Sequence, residues 1–217
     1  DAFEPLKCDV FVTEATFGTP GFRWEKGRVF GREIYEWWKE NRTKGKNSLL
    51  YAYSLGKTQR ILGLIQEFLD RPVYLAPPAF SITEIYRSQG VLLPRTICIS
   101  SLDSEKKLDG ELVIASRGFL NGEFASCLGD SFATAFASGW AARDHDRRMG
   151  RIDHAFPLSD HADWDDLLRT IRDTGARRVV VQHRGSGALV RYLRRIGLHA
   201  HSVYDLRRKN DQQLTLF

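Results

Sequence analysis

Three ionisable residues stand out by type and position. His161 lies in Leu158-Ser159-Asp160-His161-Ala162-Asp163-Trp164, just ahead of an amphipathic stretch. His183 follows the run Val179-Val180-Val181-Gln182, and Glu14 follows Asp9-Val10-Phe11-Val12-Thr13. In α/β proteins, sites are assembled from loops at the carboxyl ends of strands, so three groups at three such ends can converge. A carboxylate that holds an imidazole fixes its tautomer and favours its protonated form, which suits an acid catalyst near neutrality. A second imidazole can ligate a metal ion. The ordinary reading stands beside this one: a single histidine at a strand end is more often structural, and spacing does not decide between them.

A second group of residues suggests anion contact. Gly56-Lys57-Thr58 has the look of the end of a phosphate-binding loop, but that motif needs a glycine five positions earlier, where Tyr51 stands. Nucleotide binding by this loop is therefore set aside. Lys57 and Arg60 still open a helical stretch, and helix N-termini attract anions. They are candidates for a nucleic-acid phosphate, with plain surface solvation as the alternative. Arg184, directly after His183, joins them as a candidate.

Apolar runs alternate with amphipathic stretches, the pattern of layered α/β folds. Strands are expected at 9–13, 48–53, 73–76, 96–100, 112–116, 132–137, 179–182 and 199–203. Helices are expected at 32–41, 56–69, 81–89, 164–174 and 186–196. The 56–69 helix places Ile61, Leu62, Leu64, Ile65, Phe68 and Leu69 on one face. Asp163 or Ser159 would cap the 164–174 helix, and Gly197 would stop the 186–196 helix. Pro77-Pro78 reads as the close of the 73–76 strand. Residues 18–31 hold four glycines and a proline and read as a linker.

Composition narrows the class. A hydrophobic fraction of 42% supports a real core and argues against wholesale disorder. No run approaches the roughly 20 apolar residues needed to cross a bilayer, and no secretory signal is visible. Cys8, Cys98 and Cys127 are three widely spaced thiols, neither a disulfide framework nor a zinc knuckle. A cytoplasmic protein with no membrane partner is expected. The net charge of +5 is uneven: residues 167–217 hold 11 Lys and Arg against 3 Asp and Glu. A basic end suits a polyanion, though solvated helix faces are often rich in arginine.

The segments Thr13-Glu14-Ala15-Thr16-Phe17-Gly18, Phe136-Ala137-Ser138-Gly139-Trp140 and Ser159-Asp160-His161-Ala162-Asp163-Trp164 resemble the β-CASP branch of the metallo-β-lactamase superfamily. Leu55-Gly56-Lys57-Thr58-Gln59-Arg60 is similar to a segment of one bacterial group in that branch, the ligase-associated DNA exonucleases, also named mRNA 3′-end processing factor-like. The resemblance runs over roughly residues 8–204, with the segments in matching order and spacing.

That resemblance implies a fold and a site. The fold would be α/β: part of a metallo-β-lactamase αββα lobe (residues 1–22 and 155–217) with an inserted parallel-sheet β-CASP cap (residues 23–154). Glu14 would orient His161, His161 would act as general acid, and His183 would bind the second of two zinc ions. The gap of 22 residues between the two histidines fits the family. The family's third motif reads His-Gly, whereas Arg184 follows His183 here. The full enzyme would hydrolyse phosphodiesters of single-stranded DNA ends in DNA repair, with its cap clamping the strand. Trp24, Trp37 and Trp38 would be available to stack on bases if they are not in the core. Association with a DNA ligase or helicase would fit such a role.

The family's His-x-His-x-Asp-His segment does not occur in this sequence. The expectations that follow are an incomplete zinc site, a chain inactive by itself, and a sheet face covered by a separate metallo-β-lactamase fragment. Two other functions stay open: an RNA-processing nuclease of the same architecture, and a non-catalytic nucleic-acid-binding scaffold subunit.

Overall fold

The computed structural model describes residues 4–24, 29–103, 107–142, 152–183 and 187–205. The chain is α/β, with parallel strands in both sheets. It divides into two compact units, one of residues 1–24 with 161–217, the other of residues 25–160.

In the smaller unit, β1 (Val10–Glu14), β8 (Arg178–Gln182) and β9 (His199–Ser202) form a parallel sheet in the order β1-β8-β9. Val179, Val181 and Ala200 point to one face and are buried there under α4 (Trp164–Thr174) and α5 (Gly187–Arg195). These helices supply Trp164, Leu167, Ile171, Leu189 and Leu193, spaced to face one side. Asp163 caps α4 by accepting from the Asp166 amide at 2.8 Å. Gly175 stops it with φ of +69°, a left-handed conformation that costs a glycine little. On the other sheet face Val10 and Val12 are 43% and 59% exposed.

The larger unit is built on six parallel strands in the order β4-β3-β5-β2-β6-β7. They are β2 (Asn47–Tyr51), β3 (Val73–Leu75), β4 (Thr96–Cys98), β5 (Leu112–Ala115), β6 (Phe132–Ala137) and β7 (His154–Phe156). β2, β3 and β5 are buried along their whole length, as strands covered on both faces must be. Leu50, Leu75, Ile114 and Ala137 face a core shared with α1 (Phe30–Thr43), α2 (Lys57–Ile65) and α3 (Pro77–Ser88). Leu49, Tyr51, Val113 and Phe136 face a second core, closed by short 3₁₀ turns at Phe119–Asn121 and Glu123–Leu128. Glycine is required where α1 meets α2: a Cβ on Gly31 would lie 1.9 Å from the Leu64 carbonyl oxygen.

Several expectations change. Pro77 and Pro78 do not merely close a strand; they open α3, where a missing N–H costs nothing. β7 was not foreseen. It pairs with β6, which is why the larger unit runs on to Asp160 and does not break at residue 154. Trp38 is 1% exposed and donates to the Gly110 carbonyl at 2.8 Å, so it serves the core and not a bound base. Trp37 packs edge-on against Phe156.

Candidate active site

The parallel register of β1 and β8 decides what meets at the sheet's carboxyl edge. Glu14, the last residue of β1, pairs with Gln182, the last of β8. His183 follows Gln182 directly. Glu14 and His183 therefore leave the same edge from adjacent strands, which lie about 4.8 Å apart.

His161 reaches that edge from the loop ahead of α4. Its Nδ1 lies 3.1 Å from Glu14 Oε2. Thr16 donates its hydroxyl to the other carboxylate oxygen, Oε1. An ionised carboxylate only accepts, so Nδ1 carries the shared proton and Nε2 is the basic nitrogen of the neutral ring. Both side chains are about half exposed, at 50% and 47%, so solvent weakens their attraction. What the contact supplies is orientation.

The backbone around His161 is held independently of that contact. Trp24 donates its indole N–H to the His161 carbonyl at 3.0 Å. The Trp24 amide donates to Asp163 Oδ2 at 2.7 Å, while Oδ1 of the same carboxylate caps α4. Phe17, 3% exposed, sets its ring edge-on to the imidazole with centroids 5.7 Å apart. Thr16, Phe17 and the second bond of Asp163 were not singled out from sequence. Their signal was there: Thr16 and Phe17 lie two and three residues after Glu14. Trp24 is also reassigned, from a base-stacking candidate to a support of the His161 loop.

The anion candidates divide. Arg184 lies outside the described residues. Lys57, a candidate for a nucleic-acid phosphate with surface solvation as the alternative, is 3% exposed. Its ammonium pairs with Asp160 Oδ2 at 3.0 Å and donates to the Leu158 carbonyl at 2.8 Å. Burial, the largest influence, pushes its pKa down, while Asp160 pulls it back up. That cation is consumed inside the larger unit and offers nothing to a nucleic-acid backbone. Arg60 is 47% exposed in its side chain; it bonds the Ser159 carbonyl and sits 3.3 Å from Asp160 Oδ1. Gly56 is the N-cap of α2, its amide donating to Gln59 Oε1 at 2.8 Å.

A zinc ion takes about four nitrogen, sulfur or oxygen ligands. Among the described residues, no group of three or more His, Cys, Asp or Glu is arranged to hold a metal. Glu14 and His161 engage each other, leaving His183 as the one expected ligand on this edge. The described donors thus do not make a zinc site by themselves. Nor, among the described residues, is any helix long and apolar enough to cross a membrane.

No protein-family model matches the chain. Over 211 residues, 96% of its length, it is 29% identical to a curated protein of Opitutus terrae named a probable DNA ligase. The chain spans only 20% of that relative's length.

Proposed function

We propose that this chain belongs to a nuclease that trims DNA ends in repair, and that His161, oriented by Glu14, protonates the departing oxygen. The observation that carries the proposal is the Nδ1–Oε2 contact of 3.1 Å at the carboxyl edge of a parallel sheet. It joins residues 147 positions apart into a carboxylate–imidazole pair whose Nε2 is the exchanging nitrogen.

In hydrolysis, water oxygen bonds to phosphorus, the P–O bond to the departing strand breaks, and the leaving oxygen needs a proton. His161, protonated at both ring nitrogens, gives it from Nε2 and is reprotonated from solvent, which also takes the proton that the attacking water loses. The two zinc ions of the metallo-β-lactamase resemblance would supply the activated water when bound; His183 would contribute to holding them, with ligands from beyond the described residues. DNA is favoured over RNA by the similarity to a protein named as a DNA ligase, because ligation and end trimming act on the same strand termini.

The test uses the intact gene product and two substrates, an ordinary DNA strand and one with sulfur replacing the scissile leaving oxygen. A thiolate leaves without a proton. His161→Gln should slow cleavage of the ordinary strand about 10²- to 10⁴-fold and slow the thio-substrate far less. Equal losses on both substrates would remove the general-acid role, and undiminished cleavage of the ordinary strand would remove the site.

A further inference from the structure

The larger unit has an edge that the catalytic proposal does not use. β2 lies between β5 and β6, with Tyr51 in register with Ala115 on one side and Phe136 on the other. The chain leaves β2 into α2, which packs on one sheet face with Leu50 and Ile114. It leaves β5 into the 3₁₀ turns, which pack on the opposite face with Leu49 and Val113. Adjacent parallel strands whose exits turn to opposite faces open a crevice at their carboxyl ends, the preferred place for a ligand in such sheets.

The residues at this edge are of one kind. Tyr53, just past β2, is 67% exposed, and Leu55 is 66% exposed. Trp140, just past β6, is 40% exposed in a protein that buries Trp38 and Trp164 to within a few per cent. From β5, Arg117 extends across β2 to place its guanidinium 5.5 Å from the centroid of the Phe136 ring. The same cation acts on the Tyr51 hydroxyl, whose pKa burial raises and Arg117 draws down. The adjacent strands β5, β2 and β6 thus lead, at one carboxyl edge, into a cation and two exposed aromatic residues.

From this we infer that Tyr53 and Trp140 form a stacking platform for bases of a single-stranded nucleic acid, with Arg117 taking an adjacent phosphate. Aromatic faces stack on any base, and a nearby cation follows the backbone, the usual means of binding single strands without reading sequence. The arrangement gives a role to Phe136-Ala137-Ser138-Gly139-Trp140, which the proton-transfer pair leaves without one. It also replaces Trp37 and Trp38 as the ring platform.

The choice of ligand rests on the nuclease reading, but the experiment measures binding and not cleavage. Anisotropy of a fluorescent oligodeoxythymidylate is followed with the full chain and with Tyr53→Ala, Trp140→Ala, Tyr53→Phe and Arg117→Gln. Each alanine variant should weaken binding about fivefold to a hundredfold. Tyr53→Phe should bind as the parent does, because stacking needs the ring and not the hydroxyl. Arg117→Gln should lower the slope of log affinity against log salt by about one. Leu92→Ala, at a site 87% exposed away from this edge, serves as the surface control. Melting temperatures near the parent's establish folding, and Trp140→Phe stands in should Trp140→Ala be unfolded. Parental affinity in both aromatic variants, or an unmodified chain that binds no single strand, overturns the inference. His161→Gln separates the two proposals: it should slow cleavage by the intact product about 10²- to 10⁴-fold without the loss of strand affinity expected of the alanine variants.

Discussion

Removing the charge of Asp160 exposes what the burial of Lys57 costs. The Lys57 ammonium is 3% exposed and has two oxygen partners, Asp160 Oδ2 at 3.0 Å and the Leu158 carbonyl at 2.8 Å. Asp160→Asn leaves a buried cation with only a neutral neighbour. Breaking a fully buried pair in this way costs about 3–5 kcal/mol. Asp160 is 36% exposed in its side chain and also lies near Arg60, so the loss is reduced to about 1–3 kcal/mol. At this chain length each kcal/mol moves a melting temperature by about 2–4 °C. Thermal unfolding at pH 7, followed by circular dichroism, should therefore show Asp160→Asn melting about 2–12 °C lower.

The pH dependence has a defined sign. Lys57 has a folded pKa below its ordinary value of 10.5, so the unfolded chain binds the extra proton and stability rises with pH through that window. Without Asp160 the folded pKa drops further. The deficit of Asp160→Asn should therefore shrink as pH is raised toward 10.5 and the buried amine becomes neutral. Lys57→Met/Asp160→Asn removes both charges and should recover much of the loss, since paired deletion of buried ions is often near neutral. If Asp160→Asn melts with the parent at pH 7, or the double variant loses the sum of its single losses, the account of a buried, compensated cation is wrong.

Two further outcomes follow from other parts of the fold. Cys127 is 7% exposed, and burial pushes its thiol up to about 11; at pH 8 about one molecule in a thousand carries the reactive thiolate. A thiol reagent should label exposed Cys8 quickly and reach Cys127 only on addition of denaturant, and equal labelling in the folded state would contradict the assigned packing. Val10 and Val12 present exposed apolar side chains on the side of the β1-β8-β9 sheet away from α4 and α5. Val10→Lys/Val12→Lys should lower binding of an apolar fluorescent dye, and concentration-dependent association, by about half or more; no change in either would show that this face is not sticky.

Much of the architecture is written in local pattern. The spacing of Trp164, Leu167 and Ile171 is that of a helix with one buried side, and Asp163 and Ser159 ahead of it both have cap chemistry, of which the fold uses Asp163. The valine run before Gln182 reads as a strand because β-branched side chains fit a pleated, half-buried surface. The short strand β7 escaped notice because His154-Ala155-Phe156 is too brief to show a period; its pairing with β6 makes it a strand. Pro77-Pro78 was ambiguous for a related reason, since proline ends one element and begins another equally well.

Sequence alone singled out Glu14 and His161 as residue types with an acid–base capability, and it placed each beside a strand or a helix start. Their 3.1 Å contact belongs to the tertiary structure, because it depends on where the β1–β8 register puts Glu14 and where Trp24 and Asp163 hold the loop. The fate of Lys57 was decided at the same level. A lysine at a helix start is solvated by default, and only the return of Leu158–Asp160 over α2 supplies the oxygens that let its charge be buried. Periodicity reports which side of an element faces inward, whereas the partner across the fold is set by long-range packing that no local window contains.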